Sequence, residues 1–425
     1  MHVLHDLATV LWVFNIALAL PLTILAFYTA YWMTYAWHSP ERHDASIFVN
    51  TTDSTTHSFS IIVPVRDEPY VVVAATVQRL LNQTHPHVQA IISVGHDDPS
   101  TLTVARQLQA EHPGRVTLAV SMSDVHNKPT QLNAALPYCT GDIVGILDAE
   151  SLSAASLLCQ VDAAFQQSGV TVVQGGVVMV NHGASALALR SSLEYYLHHR
   201  SKAHYSANKN AILMGGNTVF FHRELLEEVG GWDATNLAED AEIGIRLMAR
   251  GHNVTVAYDP HLVTQEEAPE TLKAWIKQRT RWNLGFLQTL TKGVWRELPT
   301  RGQRRFALWA LLQPSLMAIT GIAMLTAVIS FATVKPPLWI TMYSFLPLLP
   351  TAVMLALEAA TLATYGREMN QKIRLRDYAR LLVSAPFYQV LMAFAALRAT
   401  YKYARKDLAW AKTTHVGAHL EAART

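Results

Sequence analysis

Charged residues are scarce in this sequence of 425 residues. Asp, Glu, Lys and Arg together make up 16% of the chain, whereas an average soluble domain has about 25%. The formal net charge is only +2, so the basic excess of many nucleic-acid-binding proteins is missing and no nucleic acid is expected as a partner. The two cysteines, Cys139 and Cys159, are too few for a disulfide framework or a multi-cysteine metal site.

Hydrophobic residues make up 50% of the sequence and are concentrated towards its two ends. Residues 7–37 contain no Asp, Glu, Lys, Arg or His. Because about 20 apolar residues span a bilayer, we predict a transmembrane helix in segment 1–38. A signal peptide would carry basic residues before the run and a small-residue cleavage site after it. Neither is present, which favours a helix that is retained.

Further apolar runs lie in segment 306–400. Residues 306–334 are uncharged, and residues 336–365 carry only Glu358. Both runs are long enough to span a bilayer. The sequence Lys335-Pro336-Pro337 between them predicts a tight hairpin.

Basic residues next to the apolar runs predict how the chain is oriented in the membrane. No Lys or Arg precedes the first run, so the positive-inside rule puts the N-terminus outside and residues 38–305 and 366–380 in the cytoplasm. The last run, 381–397, contains Pro386 and fits a short span, a re-entrant segment or an interfacial helix. Because the tail after it is also basic, a re-entrant path is favoured. The expected location is the cytoplasmic membrane, crossed several times.

The central segment, 39–267, has a different pattern, in which short β-branched runs alternate with longer helical stretches. The predicted strands are 59–65, 88–94, 115–120, 142–148, 171–180 and 253–258. The predicted helices are 69–82, 99–111, 128–138, 153–167, 183–207 and 238–250. This alternation predicts an α/β domain with a mostly parallel sheet covered on both faces. Ligands of such sheets bind beyond the carboxyl ends of the strands.

Acidic residues follow three of these predicted strands. They occur in Arg66-Asp67-Glu68, in Asp97-Asp98 and in Asp148-Ala149-Glu150. Any one of these acids has a simpler interpretation as the N-cap of the next helix, but three acidic strand ends together favour a binding site. Asp148 and Glu150 offer two oxygen ligands on a short turn, which suits a Mg²⁺ or Mn²⁺ ion that bridges a diphosphate.

Three other features point to the same chemistry. Lys128 begins a predicted helix, and a helix N-terminus favours phosphate. Gly215 and Gly216 permit the close approach of a ligand to the backbone. Asp240 begins another predicted helix, where an acid either favours the helix dipole or acts as a general base; spacing does not decide between the two.

Segment 268–305 predicts amphipathic helices at the membrane interface. In residues 268–286, large apolar side chains such as Trp275 alternate with Lys and Arg, which is typical of a helix lying on a membrane surface. On the simpler interpretation the cations contact anionic lipids. On the functional one, Arg281 and Trp282 face a diphosphate and an acceptor sugar.

These motifs, in this order, resemble the membrane-integrated glycosyltransferases of family 2, the superfamily of cellulose, chitin and hyaluronan synthases. The resemblance covers residues 59–290 and extends into the flanking helices. Its marks are IIVPVRDE, the Asp97-Asp98 turn, NKPTQLNAAL, GDIVGILDAE, GGN, GGWD…AED and QRTRW. The last fits the Gln-x-x-Arg-Trp pattern of processive members and their close relatives. The resemblance implies a GT-A-type nucleotide-sugar-binding domain flanked by transmembrane helices.

The resemblance also implies a role for individual residues. The nucleotide-sugar donor would be bound by Arg66, Glu68, Asp97, Asp98, Lys128, Asp148, Gln278 and Arg281. The acceptor would contact Gly216, Asn217, Glu239 and Trp282. Asp148 and Glu150 would bind the Mg²⁺ or Mn²⁺ ion, and Asp240 would be the catalytic base of an inverting transfer. In the tail, 401–425, the sequence 410-WAKTTH-415 is similar to the gating loop of such synthases, which implies a cytoplasmic C-terminus.

The sequence therefore predicts a membrane-bound, metal-dependent, inverting glycosyltransferase. Its donor is expected to be a UDP-sugar and its acceptor a growing polysaccharide at the cytoplasmic face, with a partner subunit or a second copy as a further partner. The alternative is a single addition to a lipid-linked acceptor. A catalytically silent nucleotide-binding scaffold is disfavoured because Asp148, Asp240 and Arg281 are all retained. A transporter is disfavoured because Glu358 is the only ionisable residue within the spans.

Overall fold

The structure is a computed structural model that describes residues 2–35, 46–48, 55–207, 211–334 and 337–408. The predicted turn residues 335–336 and the predicted gating segment 410–415 lie outside the described residues. The strands are β1 (Phe59–Val65), β2 (Val88–Gly95), β3 (Val116–Ser121), β4 (Ile143–Ile146), β5 (Val172–Gly175), β6 (Val177–Met179), β7 (Val219–His222), β8 (Val254–Ala257) and β9 (Thr264–Glu266).

The α-helices fall into three groups. An N-terminal helix, α1 (His2–Tyr35), precedes the sheet. The helices of the central region are α2 (Tyr70–Leu81), α3 (Pro99–Glu111), α4 (Lys128–Ala135), α5 (Leu157–Phe165), α6 (Ala186–Ala207), α7 (Arg223–Val229) and α8 (Glu239–Ala249). The C-terminal helices are α9 (Leu272–Lys292), α10 (Arg301–Val334), α11 (Leu338–Ser344), α12 (Leu348–Glu368) and α13 (Leu375–Ala404).

The central sheet has seven strands in the order β3-β2-β1-β4-β7-β5-β8. Strands β1 to β4 are parallel to one another, β5 is parallel to β8, and β7 runs antiparallel to both of its neighbours. Every residue of β1 is buried, as expected for a continuous apolar strand covered on both faces. The predicted α/β class with a mostly parallel sheet is confirmed.

Strands β6, β7 and β9 differ from the prediction. The predicted strand 171–180 divides at Gly176 into β5 of the main sheet and β6, which pairs with β9 in a second sheet. A Cβ atom at Gly176 would lie 2.7 Å from the ring of Tyr258, so only glycine fits this crossing point. Strands β7 and β9 were not predicted, because segments of three or four residues are too short to show an alternating pattern.

The reversed direction of β7 has a consequence for ligand binding. The carboxyl ends of β1, β2 and β4 lie at one edge of the sheet, since these strands are parallel. Because β7 is antiparallel to β4, it is the start of β7 that lies at this edge. Residues 215–217, which lie just before Thr218 and β7, therefore meet the residues that follow β4.

Four helices in the described parts of the chain are long and apolar enough to cross a membrane, by length and composition. The candidate spans are Thr9–Trp32, Arg301–Thr333, Leu348–Glu368 and Leu375–Ala404. The first three correspond to predicted spans, although the third begins later than expected because α11 and a turn at Phe345–Pro347 precede it.

The favoured re-entrant path for residues 381–397 is wrong. Helix α13 runs without a break from Leu375 to Ala404, and one unbroken helix cannot enter a bilayer and return. Pro386 removes only a single backbone N–H, and the helix continues past it. Packing stabilises it there, because the ring of Tyr388 contacts that of Trp275 in α9 at 5.3 Å.

The prediction that the apolar side chains of α9 lie on the membrane surface is also incorrect in part. Trp275 is fully buried, and it packs in one cluster with Tyr388 and Met392 of α13. Helix α13, in contrast, has an exposed apolar stripe at positions three and four residues apart. Its members are Val383, Phe387, Val390, Phe394 and Leu397.

Two ion pairs connect the central region to α12. The guanidinium of Arg190 in α6 donates to Glu358 at 3.1 Å and also to the Ser384 hydroxyl and the Leu381 carbonyl of α13. About three turns further along both helices, Arg200 donates to Glu368 at 2.8 Å. The partner of Glu358 is therefore a neighbouring helix of the central region.

We predict that Arg190→Met lowers the free energy of unfolding by about 2–3 kcal/mol, because it leaves Glu358 without its cation. The double variant R190M/E358Q should lose less free energy of unfolding than R190M alone, since Glu358 no longer leaves an unpaired charge. Thermal unfolding in detergent measures both. Arg376→Met is the control, because that side chain is 55% exposed and should change stability by less than about 1 kcal/mol. Equal losses for R190M and R376M would contradict the prediction.

Candidate active site

At one end of the site, the loop after β1 is paired with the loop after β2. Arg66 donates two hydrogen bonds to Asp97, at 3.2 and 2.6 Å. This hydrogen bonding holds the pKa of Asp97 below its ordinary value. His126, which lies just before α4, is 3.1 Å from the same carboxylate. The predicted donor-binding residues Arg66 and Asp97 are therefore in direct contact.

Asp98 has a different environment from its neighbour. Its Oδ1 accepts from the backbone N–H of Thr101 at 3.1 Å and caps α3, and its Oδ2 accepts from the N–H of Asp67 at 2.7 Å. Asp67 has a positive φ of 50°, so the cap also stabilises an uncommon backbone turn. The geometry thus favours the N-cap interpretation for Asp98, and its contact with a donor stays a prediction. Glu68, next in this turn, is half-buried.

The centre of the site is the ammonium group of Lys128. It donates to Asp148, and also to the carbonyl oxygen of Gly216 at 2.7 Å. Asn127 caps α4 by accepting from the N–H of Thr130 at 3.1 Å, which fixes where Lys128 leaves the helix. Burial disfavours the ammonium ion, but the nearby carboxylates outweigh burial and raise the pKa of Lys128.

Asp148 and Glu150 lie on the irregular segment between β4 and α5. No helix begins at Asp148, since α5 starts only at Leu157, so the N-cap interpretation of Asp148 is excluded. The backbone N–H of Asp148 donates to the side chain of Asn217 at 3.3 Å, and Glu150 is buried. This contact connects the acidic turn to the Gly-Gly-Asn turn before β7.

These two carboxylates fit a Mg²⁺ or Mn²⁺ ion that takes its other ligands from phosphate and water. Among the residues that the structure describes, no group of three or more His, Cys, Asp or Glu side chains could hold a metal ion by itself. Mg²⁺ commonly binds one or two carboxylates together with substrate phosphates and waters. The contact between Lys128 and Asp148 also places a cation against this carboxylate. The acidic turn is therefore suited to a donor-bound ion rather than to a closed metal centre.

Gly216 brings the predicted base into this centre. A Cβ atom at Gly216 would lie 3.2 Å from Oδ2 of Asp240 and 3.2 Å from Nζ of Lys128. Asp240 is the second residue of α8, and its Oδ1 accepts from the N–H of Ala241 at 2.8 Å. The absence of a side chain at Gly216 thus allows a carboxylate and an ammonium group to lie beside the same turn.

Glu239 is buried beside Asp240 at the start of α8. Burial and the negative charge of Asp240 raise the pKa of Glu239 to about 7, against the opposing effects of Lys128 and Arg281. Arg281 of the QRTRW motif is therefore within electrostatic range of Glu239. Glu239 therefore keeps its proton to a higher pH than an exposed glutamate does.

The QRTRW motif lies on α9, and its polar atoms are poorly satisfied. Oε1 of Gln278 and Nε of Arg281 are buried and have no hydrogen-bond partner within the described ranges. The ring of Trp282 lies 6.0 Å from the ring of Tyr195 in α6. The guanidinium of Arg279 lies 4.7 Å from the Trp282 ring. Buried polar atoms normally have partners, so unsatisfied ones here are consistent with a ligand between α6 and α9.

Two residues of this region were not identified from the sequence. Glu266 of β9 accepts hydrogen bonds from the Ser151 hydroxyl at 2.7 Å and from the Asn217 amide. These bonds connect Glu266 to the acidic turn and to the turn before β7. Lys202 of α6 is buried next to Gly215. Neither had a local signal, because β9 has only three residues and the hydrophobic pattern around Lys202 is that of an ordinary helix.

With this geometry established, similarity to known proteins identifies the family. Residues 57–285, which include the sheet, the acidic turn and the QRTRW motif, match the family described as "Glycosyltransferase like family 2". The chain belongs to glycosyltransferase family 2. The predicted resemblance is thereby confirmed.

Similarity to individual proteins shows how broad the relationship is. The chain is 25% identical to the probable glycosyltransferase YdaM of Bacillus subtilis, over 53% of this chain and 54% of that protein. It is 26% identical to the beta-monoglucosyldiacylglycerol synthase of Trichormus variabilis, over 54% and 49% respectively. The chain thus spans about half the length of these two relatives. It is 21% identical to a poly-beta-1,6-N-acetyl-D-glucosamine synthase of Staphylococcus epidermidis, over 76% of each chain.

A solved structure supports the GT-A fold assignment of this glycosyltransferase. The mannosyltransferase PcManGT from Pyrobaculum calidifontis, solved with GDP-Man and Mn²⁺, matches with a TM-score of 0.58 and 19% sequence identity. The match covers 92% of this chain and 99% of that one. The common architecture therefore includes the flanking apolar helices as well as the central domain.

We predict that Glu239→Gln changes how stability depends on pH. A carboxyl group whose pKa is about 7 in the folded state, above its unfolded value, contributes stability at low pH that is lost as pH rises through that folded pKa. Gln cannot ionise, so the melting temperature of E239Q relative to the wild type should rise between about pH 5 and about pH 8. The exposed neutralisation Glu228→Gln is the control. A melting-temperature difference between E239Q and the wild type that stays constant across this pH range would refute the raised pKa of Glu239.

Proposed function

We propose that this protein transfers a sugar with inversion from a nucleoside-diphosphate sugar to an acceptor hydroxyl. The observation that carries the proposal is the arrangement around Gly216. There, Asp240 Oδ2 and Lys128 Nζ lie beside one glycine, and Lys128 in turn contacts Asp148 of the acidic turn. The proposed base and a cation suited to phosphate thus lie beside the same turn.

In the proposed mechanism, Asp240 accepts the proton of the acceptor hydroxyl. The hydroxyl oxygen then attacks the anomeric carbon while the bond from that carbon to the diphosphate oxygen breaks, which inverts the anomeric configuration. Lys128 and Arg281 stabilise the negative charge that develops on the leaving diphosphate. Asp148 and Glu150 would hold a Mg²⁺ or Mn²⁺ ion, which neutralises diphosphate charge when bound.

The remaining binding residues have proposed roles on either side of this centre. Arg66 and Asp97, with the turn of Glu68 and Asp98, contact the nucleoside, which we expect to be uridine. Gln278 contributes to diphosphate binding from α9. Trp282 and Glu239 are assigned to the acceptor, whereas an acceptor contact of Asn217 stays a prediction because its side chain hydrogen-bonds Asp148, Ser151 and Glu266.

The first acceptor that we propose is a growing polysaccharide at the cytoplasmic face of the membrane. The QRTRW motif and the similarity to a poly-beta-1,6-N-acetyl-D-glucosamine synthase over 76% of each chain support this proposal. The four apolar helices support a location in the cytoplasmic membrane, and the distribution of basic residues supports a cytoplasmic catalytic domain.

A single addition to a lipid-linked acceptor is the second candidate function. It is favoured by the course of α6, which lies beside the site through Lys202 and contacts apolar helices near both of its ends. Arg190 near its start pairs with Glu358 of α12, and Tyr205 near its end lies 5.7 Å from Trp32 of α1. A lipid held by these helices would have its polar end close to Asp240.

We predict that the wild type releases a nucleoside diphosphate from one nucleotide sugar only when Mg²⁺ or Mn²⁺ is present. Asp148→Asn should reduce this turnover on the order of 10³-fold by weakening ion binding. Asp240→Asn should reduce transfer by about 10²–10⁴-fold, the contribution of a general base, and should leave donor binding intact. A panel of nucleotide sugars tested on detergent-purified protein measures both effects.

The exposed substitution Glu228→Gln is the matched control and should leave turnover unchanged. Full activity of either D148N or D240N would refute the assigned roles. The length of the product separates the two acceptors, because a ladder of products indicates a polysaccharide synthase and one discrete glycolipid indicates a single addition.

A further inference from the structure

Lys202 is a buried cation that the proposed mechanism does not use. It lies on α6 with only 2% of its surface exposed. Its ammonium group has no hydrogen-bond partner within the residues that the structure describes. A Cβ atom at Gly215 would lie 3.5 Å from this nitrogen. Lys202 therefore contacts one side of the Gly-Gly turn whose next residue, Gly216, lies beside Asp240.

An unpaired ammonium group in this position is unfavourable for the folded protein. Transferring a charge from water into a protein interior requires a partner to offset the lost hydration. Burial accordingly lowers the pKa of Lys202 to about 8, and the charge of Asp240 offsets this effect only in part. An anion bound against Lys202 would restore the missing interaction.

Other unsatisfied donors lie on the same side of the site. His199, one turn before Lys202, is buried and its Nδ1 has no hydrogen-bond partner in the described ranges. Arg279 of α9 donates to Glu194 at 2.5 Å, but its Nε and Nη2 atoms have no acceptor there. Its guanidinium lies over the ring of Trp282, which the proposed function assigns to the acceptor. Lys202, His199 and Arg279 thus all have nitrogen atoms without a hydrogen-bond partner among the described residues.

The position of Lys202 along α6 brings it near the apolar helices. Tyr205, three residues further on, contacts Trp32 of α1 and Phe306 of α10, with ring centroids 5.7 and 4.7 Å apart. A molecule held among α1 and α10 by an apolar chain would therefore bring its polar end to the Lys202 side of Asp240.

We propose that Lys202 is the centre of an oxyanion-binding subsite that takes a phosphate group carried by the acceptor next to its attacking hydroxyl. This inference rests on the second candidate function, in which Asp240 is the base of glycosyl transfer to a lipid-linked acceptor. The phosphate would accept hydrogen bonds from Lys202 and from His199. Hydrogen bonds between an ammonium group and a phosphate are among the stronger ones in proteins.

Binding of octyl phosphate to the full-length protein in nonionic detergent, with Mn²⁺ and a nucleoside diphosphate present, tests this subsite. Isothermal titration calorimetry should show that Lys202→Met binds octyl phosphate about 10–100-fold more weakly than the wild type, the loss expected for a charge-assisted hydrogen bond. Lys202→Arg should retain most of the affinity. The exposed substitution Lys372→Met is the matched control and should bind as the wild type does.

Inorganic phosphate and octanol distinguish the source of the oxyanion. Tighter binding of octyl phosphate than of inorganic phosphate, with no binding of octanol, supports a lipid phosphate. Equal binding of both phosphates supports the subsite and assigns it to a soluble oxyanion. No binding of either phosphate by the wild type, or equal affinity in K202M, would overturn the proposal.

Thermal unfolding separates this role from a structural one. K202M should melt about 2–4 °C higher than the wild type, because it removes a buried charge that has no partner among the described residues. A variant that melts earlier and loses nucleoside diphosphate binding would identify Lys202 as structural and overturn the subsite. Failure of the wild type to cleave any nucleotide sugar would refute the proposed transfer instead, and the phosphate titration does not depend on turnover.

Discussion

The contact of Lys128 with Asp148 and with the Gly216 carbonyl is the interaction on which the site depends. It connects three segments that are far apart in sequence, namely the start of α4, the turn after β4 and the turn before β7. The turn after β4 also contains Glu150, and the missing side chain at Gly216 leaves room for Asp240 beside the turn before β7. An ammonium group suits this position because three carboxylates (Asp148, Glu239 and Asp240) outweigh the effect of its burial.

The sheet makes this contact possible through the direction of a single strand. If β7 were parallel to β4, its preceding turn would lie at the opposite edge of the sheet, far from the acidic turn. Because β7 is reversed, the Asn217 side chain can accept from the Asp148 backbone and donate to Ser151 and Glu266. The acidic turn, which no regular helix stabilises, is thus fixed by hydrogen bonds from across the sheet.

Much of this architecture follows from patterns that extend over several residues. The buried strands β1 and β2 and the helices that begin at Pro99 and Lys128 have clear apolar runs or N-cap signals, and the sequence predicted them closely. Strands β7 and β9 are too short to carry a pattern, and the crossing at Gly176 depends on a contact with Tyr258 that is distant in sequence. The site residues at strand ends could be predicted because parallel strands share an edge.

Lys202 and Glu266 could not be predicted, since their importance depends on partners that only the folded chain brings near. Trp275 was misjudged for a related reason: an amphipathic pattern indicates that one face is covered, but not whether lipid or another helix covers it.

The two ion pairs between α6 and α12 limit how the catalytic centre can move. Arg190 and Arg200 lie about ten residues apart on α6, and their partners Glu358 and Glu368 are spaced in the same way on α12. Two such attachments prevent rotation as well as separation of the helices they join. If α12 crosses a bilayer, the catalytic centre is held at one height relative to the membrane surface. The enzyme would then glycosylate only a hydroxyl group that its acceptor presents at that distance from the membrane surface.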